Sequence, residues 1–208
     1  MSANRVITVA TSNAGKLRDF QGAAARFDVE VRSLHGFSAL TPATEDGATF
    51  AENALKKAAH YSKTAPDVLV IADDSGIEVD ALRGGPGVHS ARYAASEPGQ
   101  NASDQANNRK LLKELAGVSD PERGAQFVCA IAAAQNGVCI AQIFTGTVRG
   151  IILRGPRGNS GFGYDPLFLL PQLGKTFAEL TPDEKARYSH RGIAFRKFLE
   201  WFVSDQRA

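Results

Sequence analysis

The most informative segment of the chain is Val68-Leu-Val-Ile-Ala-Asp-Asp-Ser-Gly76, in which an apolar run ends directly in two adjacent carboxylates. An apolar run of this length that ends at turn-forming residues is typical of a buried strand. We therefore expect a strand over residues 68–72, with Asp73 and Asp74 at the point where it leaves the core. In open α/β sheets, ligands bind at this edge. An ordinary polar turn after a core strand is the alternative.

The two adjacent carboxylates point to chemistry because like charges repel each other and do little for folding. They become useful when a Mg²⁺ ion or a transferred proton lies between them. We therefore interpret Asp73 and Asp74 as a candidate metal or general-base site.

The composition is that of an ordinary folded protein. Of 208 residues, 43% are hydrophobic and 22% are charged, and we expect one domain over residues 1–208. The formal charge of +2 is too small to argue for binding to nucleic acid or to an anionic membrane. No apolar stretch approaches the roughly 18 residues that span a bilayer, and the first ten residues lack a signal-peptide pattern. We therefore expect a cytoplasmic location.

Strand and helix patterns alternate along the chain, which predicts the α/β class. We predict strands over residues 5–10, 29–34, 68–72, 126–134 and 138–148. We predict helices over residues 15–26, 50–63, 103–116 and 190–203. The stretches 82–100 and 154–166, which are rich in glycine, are expected to be irregular.

Capping motifs and apolar spacing support the predicted helices. Thr49-Phe-Ala-Glu52 and Thr181-Pro-Asp-Glu184 are capping boxes, in which Thr and Glu each satisfy a backbone N–H at the helix start. The last helix has apolar residues at the spacing of a buried face, namely Phe195, Phe198, Leu199 and Phe202. Trp201 fits either the core or an interface.

The two cysteines flank Asn136-Gly137, which is a strong signal for a two-residue hairpin. In that register Cys129 lies opposite Phe144 and Cys139 lies opposite Ala134, so the thiols are roughly 17 Å apart along the strands. That separation excludes a disulfide. We interpret both cysteines as small buried apolar residues.

A polar turn, Thr11-Ser-Asn-Ala-Gly-Lys16, joins the first strand to the first helix. Backbone N–H groups at a helix N-terminus attract anions, and Lys16 adds a positive charge. The turn is not a P-loop, because residue 10 is Ala and residue 17 is Leu. It is either a phosphate-binding turn or an ordinary helix cap.

Three further polar segments carry candidate residues, and each has a plainer interpretation. Glu45 lies in the loop before a helix, where it is free to reach a metal, and Lys57 shares a helix face with Asn53, although helix lysines are usually solvated. In Gly161-Phe-Gly-Tyr-Asp-Pro166 a ring is free to stack on a base, or it anchors a turn. Ser189-His-Arg191 offers a donor for a base oxygen or a phosphate, or a surface charge.

In combination and order, these motifs are much more specific than they are singly, and the chain resembles the inosine triphosphate pyrophosphatase family. Members of that family remove deaminated purine nucleotides such as dITP, ITP and XTP. The matching segments are residues 11–16, 49–54 with Lys57, 72–76, 84–93, 161–166 and 189–191. One departure is Ser12, which replaces the family's usual glycine. If that position needs a positive φ, the serine has a conformational cost.

The resemblance implies an elongated α/β fold, with a long central mixed β-sheet flanked by helices and a cleft between two lobes. It implies a homodimer and a Mg²⁺ cofactor. It also implies that a nucleoside triphosphate and water give the monophosphate and pyrophosphate, a reaction that sanitises the nucleotide pool. Water must then attack the α-phosphorus while positive charge covers the leaving phosphates.

The resemblance also assigns roles to individual residues. The implied metal ligands are Glu45, Asp74 and Asp73, and Asp74 is also the implied general base. The implied contacts of the phosphates are Thr11, Ser12, Asn13, Ala14, Gly15, Lys16, Lys57 and Lys185, with Ser75 nearby. The implied contacts of the base are Phe162, Gly163, Tyr164, Asp165, His190 and Arg191.

Base selection has a physical basis in Arg191. Hypoxanthine and xanthine carry an oxygen at position 6, which accepts a hydrogen bond, whereas adenine carries an amino group there. A site built to bond one group rejects its mismatch strongly. Guanine also has the 6-oxygen, so its rejection must arise around position 2.

Two other functions compete with this interpretation. One is a pyrophosphatase that acts on ordinary, methylated or pyrimidine nucleotides. The other is a non-catalytic nucleotide-binding module, which the intact set of Glu45, Asp73, Asp74, Lys16 and Lys57 argues against. Nucleic-acid binding has little support, because the charges are nearly balanced and no basic run is present.

Overall fold

A computed structural model describes residues 5–97 and 99–205 of the chain, which form a mixed β-sheet flanked by helices. The strands are β1 Arg5–Val9, β2 Val29–Ser33, β3 Val70–Val79, β4 Gly124–Gln135, β5 Val138–Cys139, β6 Phe144–Ile152, β7 Phe168–Leu170 and β8 Lys175–Thr176. Their order is β2-β1-β3-β4-β6-β7-β8, and β5 pairs with β4. Strand β1 is parallel to both neighbours, while the remaining pairs are antiparallel. The predicted α/β class and central mixed sheet are confirmed.

The part of the chain that the structure describes contains five α-helices, namely α1 Ala14–Ala24, α2 Phe50–Ser62, α3 Asp104–Glu114, α4 Pro182–Tyr188 and α5 His190–Asp205. The helices predicted near residues 15–26, 50–63, 103–116 and 190–203 are therefore confirmed, with ends that differ by one or two residues. The stretch 82–100 forms short 3₁₀ turns, of which Gly87–Arg92 is the longest.

The hydrophobic core divides along the long strands β3, β4 and β6. At one end, a cluster of α1, α5 and sheet residues covers one face, and a cluster built on α2 covers the other. At the far end, Ile77 and Val79 join a third cluster with β7 and the segment after it. The polar residues Asp73 and Asp74 therefore lie between two packed regions of the same sheet.

The predicted end of the central strand is wrong. Strand β3 does not stop at Ala72 but continues through both carboxylates to Val79, paired residue by residue with β4. A polar run usually signals a turn. Here the carboxylates remain inside the sheet because lysine and arginine side chains from distant helices compensate their charge.

The predicted hairpin is correct at its turn and wrong farther along. Cys139 pairs with Ala134 as expected, but Cys129 lies opposite Gly146 rather than Phe144. Residues 140–143 leave the regular ladder, which shifts the register of the following strand by two residues. Both cysteines are free thiols, with Cys129 buried and Cys139 only half-buried.

The helix starts follow the predicted caps with one difference. Thr181 and Glu184 form the full capping box of α4, with Pro182 at the first helical position. Thr49 accepts from the N–H of Glu52, but the Glu52 carboxylate bonds the N–H of Ala48 instead of Thr49. Both side chains therefore bond backbone N–H groups at the N-terminus of α2, but Glu52 reaches the residue before the N-cap, whereas in a standard capping box it bonds the N–H of the N-cap itself.

The last helix buries the predicted face, with Phe195, Phe198, Leu199 and Phe202 all in the core. Trp201 is half-buried and packs against Phe144, at the margin of that core. Within residues 5–97 and 99–205, none of the helices is both long and apolar enough to cross a bilayer.

Candidate active site

The candidate site lies at a notch in the sheet beside the middle of β3. Strand β1 pairs with β3 only at Val70 and Ile71, and the chain then turns away at Thr11. From Ala72 to Ile77, none of the described strands covers this edge of β3; the next pairing is an isolated bridge at Glu78. The carboxyl ends of the parallel strands meet here, which is where open α/β sheets bind ligands.

Asp73 points to the sheet face that α1 and α5 cover, and there it is surrounded by cations. The Lys16 ammonium lies 2.9 Å from Asp73 Oδ2, and the Arg191 Nε lies 3.5 Å from the same oxygen. The Ser75 hydroxyl donates to Asp73 Oδ2 at 3.1 Å. Burial alone would raise the pKa of Asp73, but Lys16, Arg191 and Lys57 outweigh burial and hold the pKa well below its usual value.

Arg191 is buried, and its guanidinium is held on three sides. Besides Asp73, it donates to Asp19 at 2.7 Å and to the Ser75 hydroxyl at 2.8 Å. Burial would lower the pKa of Arg191, but the nearby carboxylates raise it above its usual value, so the side chain is fully charged. A guanidinium has five N–H groups, and each of its three nitrogens donates one bond here, to Asp73, Asp19 and Ser75.

Asp19 is a site residue that the sequence motifs missed. It lies on α1 three residues after Lys16, which places both on one helix face. Its carboxylate bonds Arg191 and lies 3.6 Å from the Lys185 ammonium. The sequence offered one signal for Asp19, namely its position three residues after Lys16 of the candidate phosphate turn. Such i, i+3 spacing of charged residues is also common on helices that face solvent.

Phe162 covers the start of α1, and two cations lie beside its ring. An added Cβ at Gly15 would lie 2.5 Å from the ring carbon Cδ1, so only glycine lets the ring approach the helix this closely. The Lys185 ammonium is 5.0 Å and the Arg191 guanidinium carbon 5.4 Å from the ring centre, a cation–π arrangement. The predicted aromatic and its neighbouring donors are therefore brought together.

Asp165 fixes the loop that carries Phe162. Its carboxylate accepts from the Phe162 N–H at 2.9 Å and from the Lys185 ammonium at 2.7 Å. Burial raises the pKa of Asp165, while the Lys185 ammonium acts in the opposite direction. Asp165 therefore ties the predicted stacking residue to α4.

Asp74 points to the opposite face of the sheet, toward α2. Its carboxylate accepts from the Lys57 ammonium at 2.8 Å and from the Asn53 amide at 3.2 Å. Lys57 also lies 3.1 Å from Glu45 Oε2, so one ammonium joins two carboxylates. The predicted set of Glu45, Lys57 and Asp74 is therefore brought together around one point.

Lys57 is only 8% exposed, which is unusual for a lysine on a helix. Burial would lower the pKa of Lys57, but Asp74 and Glu45 outweigh it and hold the pKa above its usual value. The lysine is thus a buried cation, and the interpretation of Lys57 as an ordinary solvated residue is wrong.

The turn before α1 is shaped as an N-terminal cap. Asn13 is the N-cap and accepts from the N–H of Lys16 at 3.0 Å, while Thr11 accepts from the N–H of Asn13 at 3.1 Å. Ala14 and Gly15 form the first residues of the helix. Ser12 is exposed and is not among the described residues with positive φ, so this serine has no conformational cost here.

Two of the predicted base contacts have their side chains in the core. The His190 ring is parallel to the rings of Phe127 and Phe177, with centroids 4.6 Å and 6.0 Å away. Burial together with nearby cations holds the pKa of His190 well below the usual value. The Tyr164 hydroxyl donates to the Ser90 carbonyl at 2.8 Å. These two side chains are therefore not free to contact a base.

Ser90, in the segment 84–93, holds the 3₁₀ turn Gly87–Arg92 against β3. Its hydroxyl accepts from the Ile77 N–H at 2.9 Å. A Cβ at Gly76 would lie 2.6 Å from the Gly87 carbonyl oxygen, so this glycine permits the close approach. Arg92 at the end of the turn donates to the Glu45 carbonyl at 3.3 Å. This segment therefore supports the loop that carries Glu45.

Comparison with known proteins agrees with this arrangement. The chain matches the Ham1 family over residues 7–201. It is 46% identical over 210 residues to a protein named dITP/XTP pyrophosphatase from Bacillus cereus, covering 99% of this chain and 100% of the relative. It is 50% identical over 194 residues to the protein of that name from Geobacillus kaustophilus, covering 93% and 92%.

Two solved structures are similar throughout. The Ham1 protein of Staphylococcus aureus shares 40% identity and a TM-score of 0.79, covering 97% of this chain and 100% of that chain. A HAM1 protein from Coxiella burnetii shares 37% identity and a TM-score of 0.80, covering 96% and 99%. The resemblance predicted from the motifs is confirmed. Because the family match spans nearly the whole chain and its relatives are this similar, the chain belongs to the Ham1 family.

Proposed function

We propose that the chain hydrolyses dITP and XTP, together with ITP and dXTP, to the monophosphate and pyrophosphate. Its enzyme class, nucleoside-triphosphate pyrophosphatase, follows from the Ham1 family and from relatives named dITP/XTP pyrophosphatase. The observation that carries the finer proposal is the notch beside β3. Base-binding groups, Phe162 and Arg191, lie on one face of the sheet, and a charged cluster around Asp74 lies on the other.

A substrate in the notch would contact both groups at once, because the uncovered edge of β3 gives access to the two faces. On one side, the Phe162 ring offers a surface for stacking on a purine. On the other face, Lys57 offers positive charge for phosphates. Lys16 and the backbone N–H groups at the start of α1 add positive charge from the same face as Phe162. This arrangement fits a nucleotide better than it fits a free base or a free phosphate.

The carboxylates fit a Mg²⁺ ion that binds together with substrate. Mg²⁺ is usually bound by one or two carboxylates plus substrate phosphate oxygens and water. Glu45 and Asp74 meet this requirement, since both lie about 3 Å from the same ammonium. Within the described residues there is no cluster of three or more metal-binding side chains, which agrees with a site completed by substrate. When bound, the metal would neutralise phosphate charge.

Asp73 was predicted as a third metal ligand, and we now give it a supporting role. Its carboxylate points to the other face of the sheet, where Lys16 and Arg191 already occupy it. We propose that it holds these two cations in place, one for the phosphates and one for the base. Ser75 takes part through its hydrogen bond to Arg191.

We propose that Asp74 is the general base that orients the attacking water toward the α-phosphorus. It lies at the uncovered edge of β3, and Asn53 and Lys57 fix both of its oxygens. Lys16 and Lys57 would stabilise charge on the phosphates during the displacement. Lys185 was predicted to contact phosphates, but it lies beside the Phe162 ring, so we assign it to the base side.

Arg191 carries the proposed base selection. Its guanidinium is held by Asp19, Asp73 and Ser75, and its remaining N–H groups suit the oxygen at position 6 of hypoxanthine or xanthine. Adenine presents a donor at that position and would leave the arginine unpaired. The homodimer, the absence of nucleic-acid binding and the cellular location stay predictions.

The experiment is an assay of the purified protein with Mg²⁺ and dITP, XTP, ITP, dGTP or ATP, in which pyrophosphate and free phosphate are measured separately. We expect pyrophosphate, chiefly from the deaminated purines, and none after chelation. Hydrolysis in ¹⁸O water locates the attack, since label in the monophosphate requires attack at the α-phosphorus. Release of free phosphate, label in pyrophosphate, or equal use of all five substrates would overturn the proposal.

A further inference from the structure

Helix α3 holds the loop that carries Phe162 at a single residue, Gly163. Asp104 and Asn108 are four residues apart and share one face of α3. The Gly163 N–H donates to Asp104 Oδ2 at 2.7 Å, and the Asn108 amide donates to the Gly163 carbonyl at 3.0 Å. Both polar backbone groups of Gly163 are therefore held by one helix face.

The hydrogen bond from Asn108 to Gly163 leaves the other polar atom of the Asn108 amide without a partner among the described residues. The amide must present its NH₂ group to the carbonyl, which fixes the orientation of the side chain. The other atom, Asn108 Oδ1, is buried and finds no donor in residues 5–97 and 99–205. Its neighbour Asn107 uses both ends of its amide, accepting from Ala94 and donating to Ala91. Asn108 therefore leaves a buried acceptor unpaired while it keeps its bond to the loop.

The loop around Phe162 and Gly163 requires contacts with other parts of the chain to keep one conformation. Gly163 has φ of +61° and follows Phe162 directly, and glycine is the residue that loses most conformational freedom on folding. Phe162 is held from one side by the Asp165 carboxylate, and Tyr164 is held by Ser90. Between them, the backbone N–H and C=O of Gly163 are bonded by Asp104 and Asn108.

We propose that Asp104 and Asn108 are positioning residues for base recognition. They hold the backbone of Gly163 and so set the position of the Phe162 ring relative to Arg191. Within the described residues, the side-chain hydrogen bonds of Asp104 and Asn108 go to Gly163 and not to the phosphate turn or the Glu45–Lys57–Asp74 cluster, so their effect falls on the base half of the substrate. This inference rests on the proposed function, because it assumes that Phe162 stacks on a purine.

The test separates the base half of the substrate from the phosphate half. For Asn108→Ala we expect KM for dITP to rise roughly fivefold to tenfold, the usual effect of one lost hydrogen bond, with kcat within about twofold. The inhibition constant of dIMP should rise equally, while that of inorganic pyrophosphate stays unchanged. Asn108→Asp should show a larger rise, because a carboxylate then faces the Gly163 carbonyl. Asp104→Asn retains an acceptor and should stay near wild type, whereas Asp104→Ala should resemble Asn108→Ala.

The matched control is Gln105→Ala, an exposed polar residue on the same helix, which should change none of these constants. An unchanged KM for dITP in both alanine variants would overturn the inference. So would equal increases for dIMP and pyrophosphate, which indicate a general loss of structure. If wild-type protein itself fails to hydrolyse dITP, the proposed function fails first; activity in wild type with unchanged variants overturns only this inference.

Discussion

Asp73 and Asp74 are adjacent on β3, yet their carboxylates lie on opposite faces of the sheet. Asp73 bonds Lys16 from α1, whereas Asp74 bonds Lys57 from α2. Successive side chains of a strand alternate in this way. The two carboxylates therefore do not face each other, although they are adjacent in the sequence. The separate roles that we propose for them can be distinguished by different substitutions.

Asp74→Asn should remove catalysis while the fold remains. The amide keeps the shape of the side chain but cannot take a proton, so kcat for dITP should fall by about 10³-fold, within the range for general-base catalysis. The control is Asp46→Asn, which makes the same change at an exposed carboxylate next to Glu45. Asp46 pairs with Lys56 on the surface. Near-normal turnover by a folded Asp74→Asn protein would remove Asp74 from the mechanism.

Asp73→Asn should reduce stability in a pH-dependent way. Removing one partner from a buried ion cluster leaves cations uncompensated and costs about 3–5 kcal/mol at pH 7. Because the pKa of Asp73 is lowered on folding, its contribution is complete above the unfolded value of about 4 and is lost as the pH falls below that value.

Urea unfolding at pH 7 and at about pH 3 checks this prediction for Asp73. The difference in free energy of unfolding between wild type and Asp73→Asn should shrink at the lower pH. Asp120→Asn, at an exposed carboxylate that pairs with Arg154, serves as control and should show no measurable change at pH 7. A difference that stays constant with pH would show that charge is not the cause.

The parts of the fold that could be predicted from the sequence depend on local signals. The cap of α4 at Thr181, the buried face of α5 and the hairpin turn at Asn136-Gly137 each follow from residues close in the chain. Spacing and capping act over a few residues, so one sequence is enough to recognise them.

The parts that failed depend on distant residues. Strand β3 continues through Asp73 because Lys16 and Arg191, which are 57 and 118 residues away, compensate its charge. Asp19 and Asn108 joined no motif, since a single polar residue on a helix looks the same whether it faces solvent or a site. Their roles became visible only when the fold brought them to Arg191 and Gly163.

Lys57→Met should tighten the binding of Mg²⁺ to the free protein while it lowers kcat. The Lys57 ammonium occupies the space between Glu45 and Asp74, so a cation that uses both carboxylates must compete with it. Calorimetric titration without nucleotide should show a Kd for Mg²⁺ that is lower by roughly tenfold, equivalent to about 1.4 kcal/mol. The neighbouring Lys56→Met variant should leave the Kd unchanged. Weaker Mg²⁺ binding in Lys57→Met would contradict the proposed ligands.

Arg191→Lys tests base selection better than Arg191→Ala does. Alanine leaves Asp19 and Asp73 without their buried partner and should lower the free energy of unfolding by about 3–5 kcal/mol. Lysine keeps the charge but loses the planar fork. We expect the ratio of kcat/KM for dITP to that for dATP to fall at least roughly tenfold in Arg191→Lys. An unchanged ratio in a folded Arg191→Lys protein would remove Arg191 from base selection.

Gly15→Ala tests the stacking role of Phe162 without changing Phe162 itself. Alanine favours a helix over glycine by about 1 kcal/mol, so the variant should not be less stable through its backbone. Its Cβ, however, would lie 2.5 Å from the Phe162 ring and must displace it. We expect KM for dITP to rise roughly fivefold, which corresponds to a loss of about 1 kcal/mol of stacking free energy, with little change in kcat.

Gly22→Ala on the same helix is the matched control for Gly15→Ala, because its Cβ would meet only Ala186 at an ordinary 3.8 Å. Both variants replace glycine by alanine within α1, and a thermal melt compares their stability. A KM for dITP that rises in Gly15→Ala but not in Gly22→Ala, while the inhibition constant of inorganic pyrophosphate stays unchanged, assigns the effect to the displaced ring rather than to the phosphate turn. If neither KM changes, the observed position of Phe162 on α1 is not the one that binds the base.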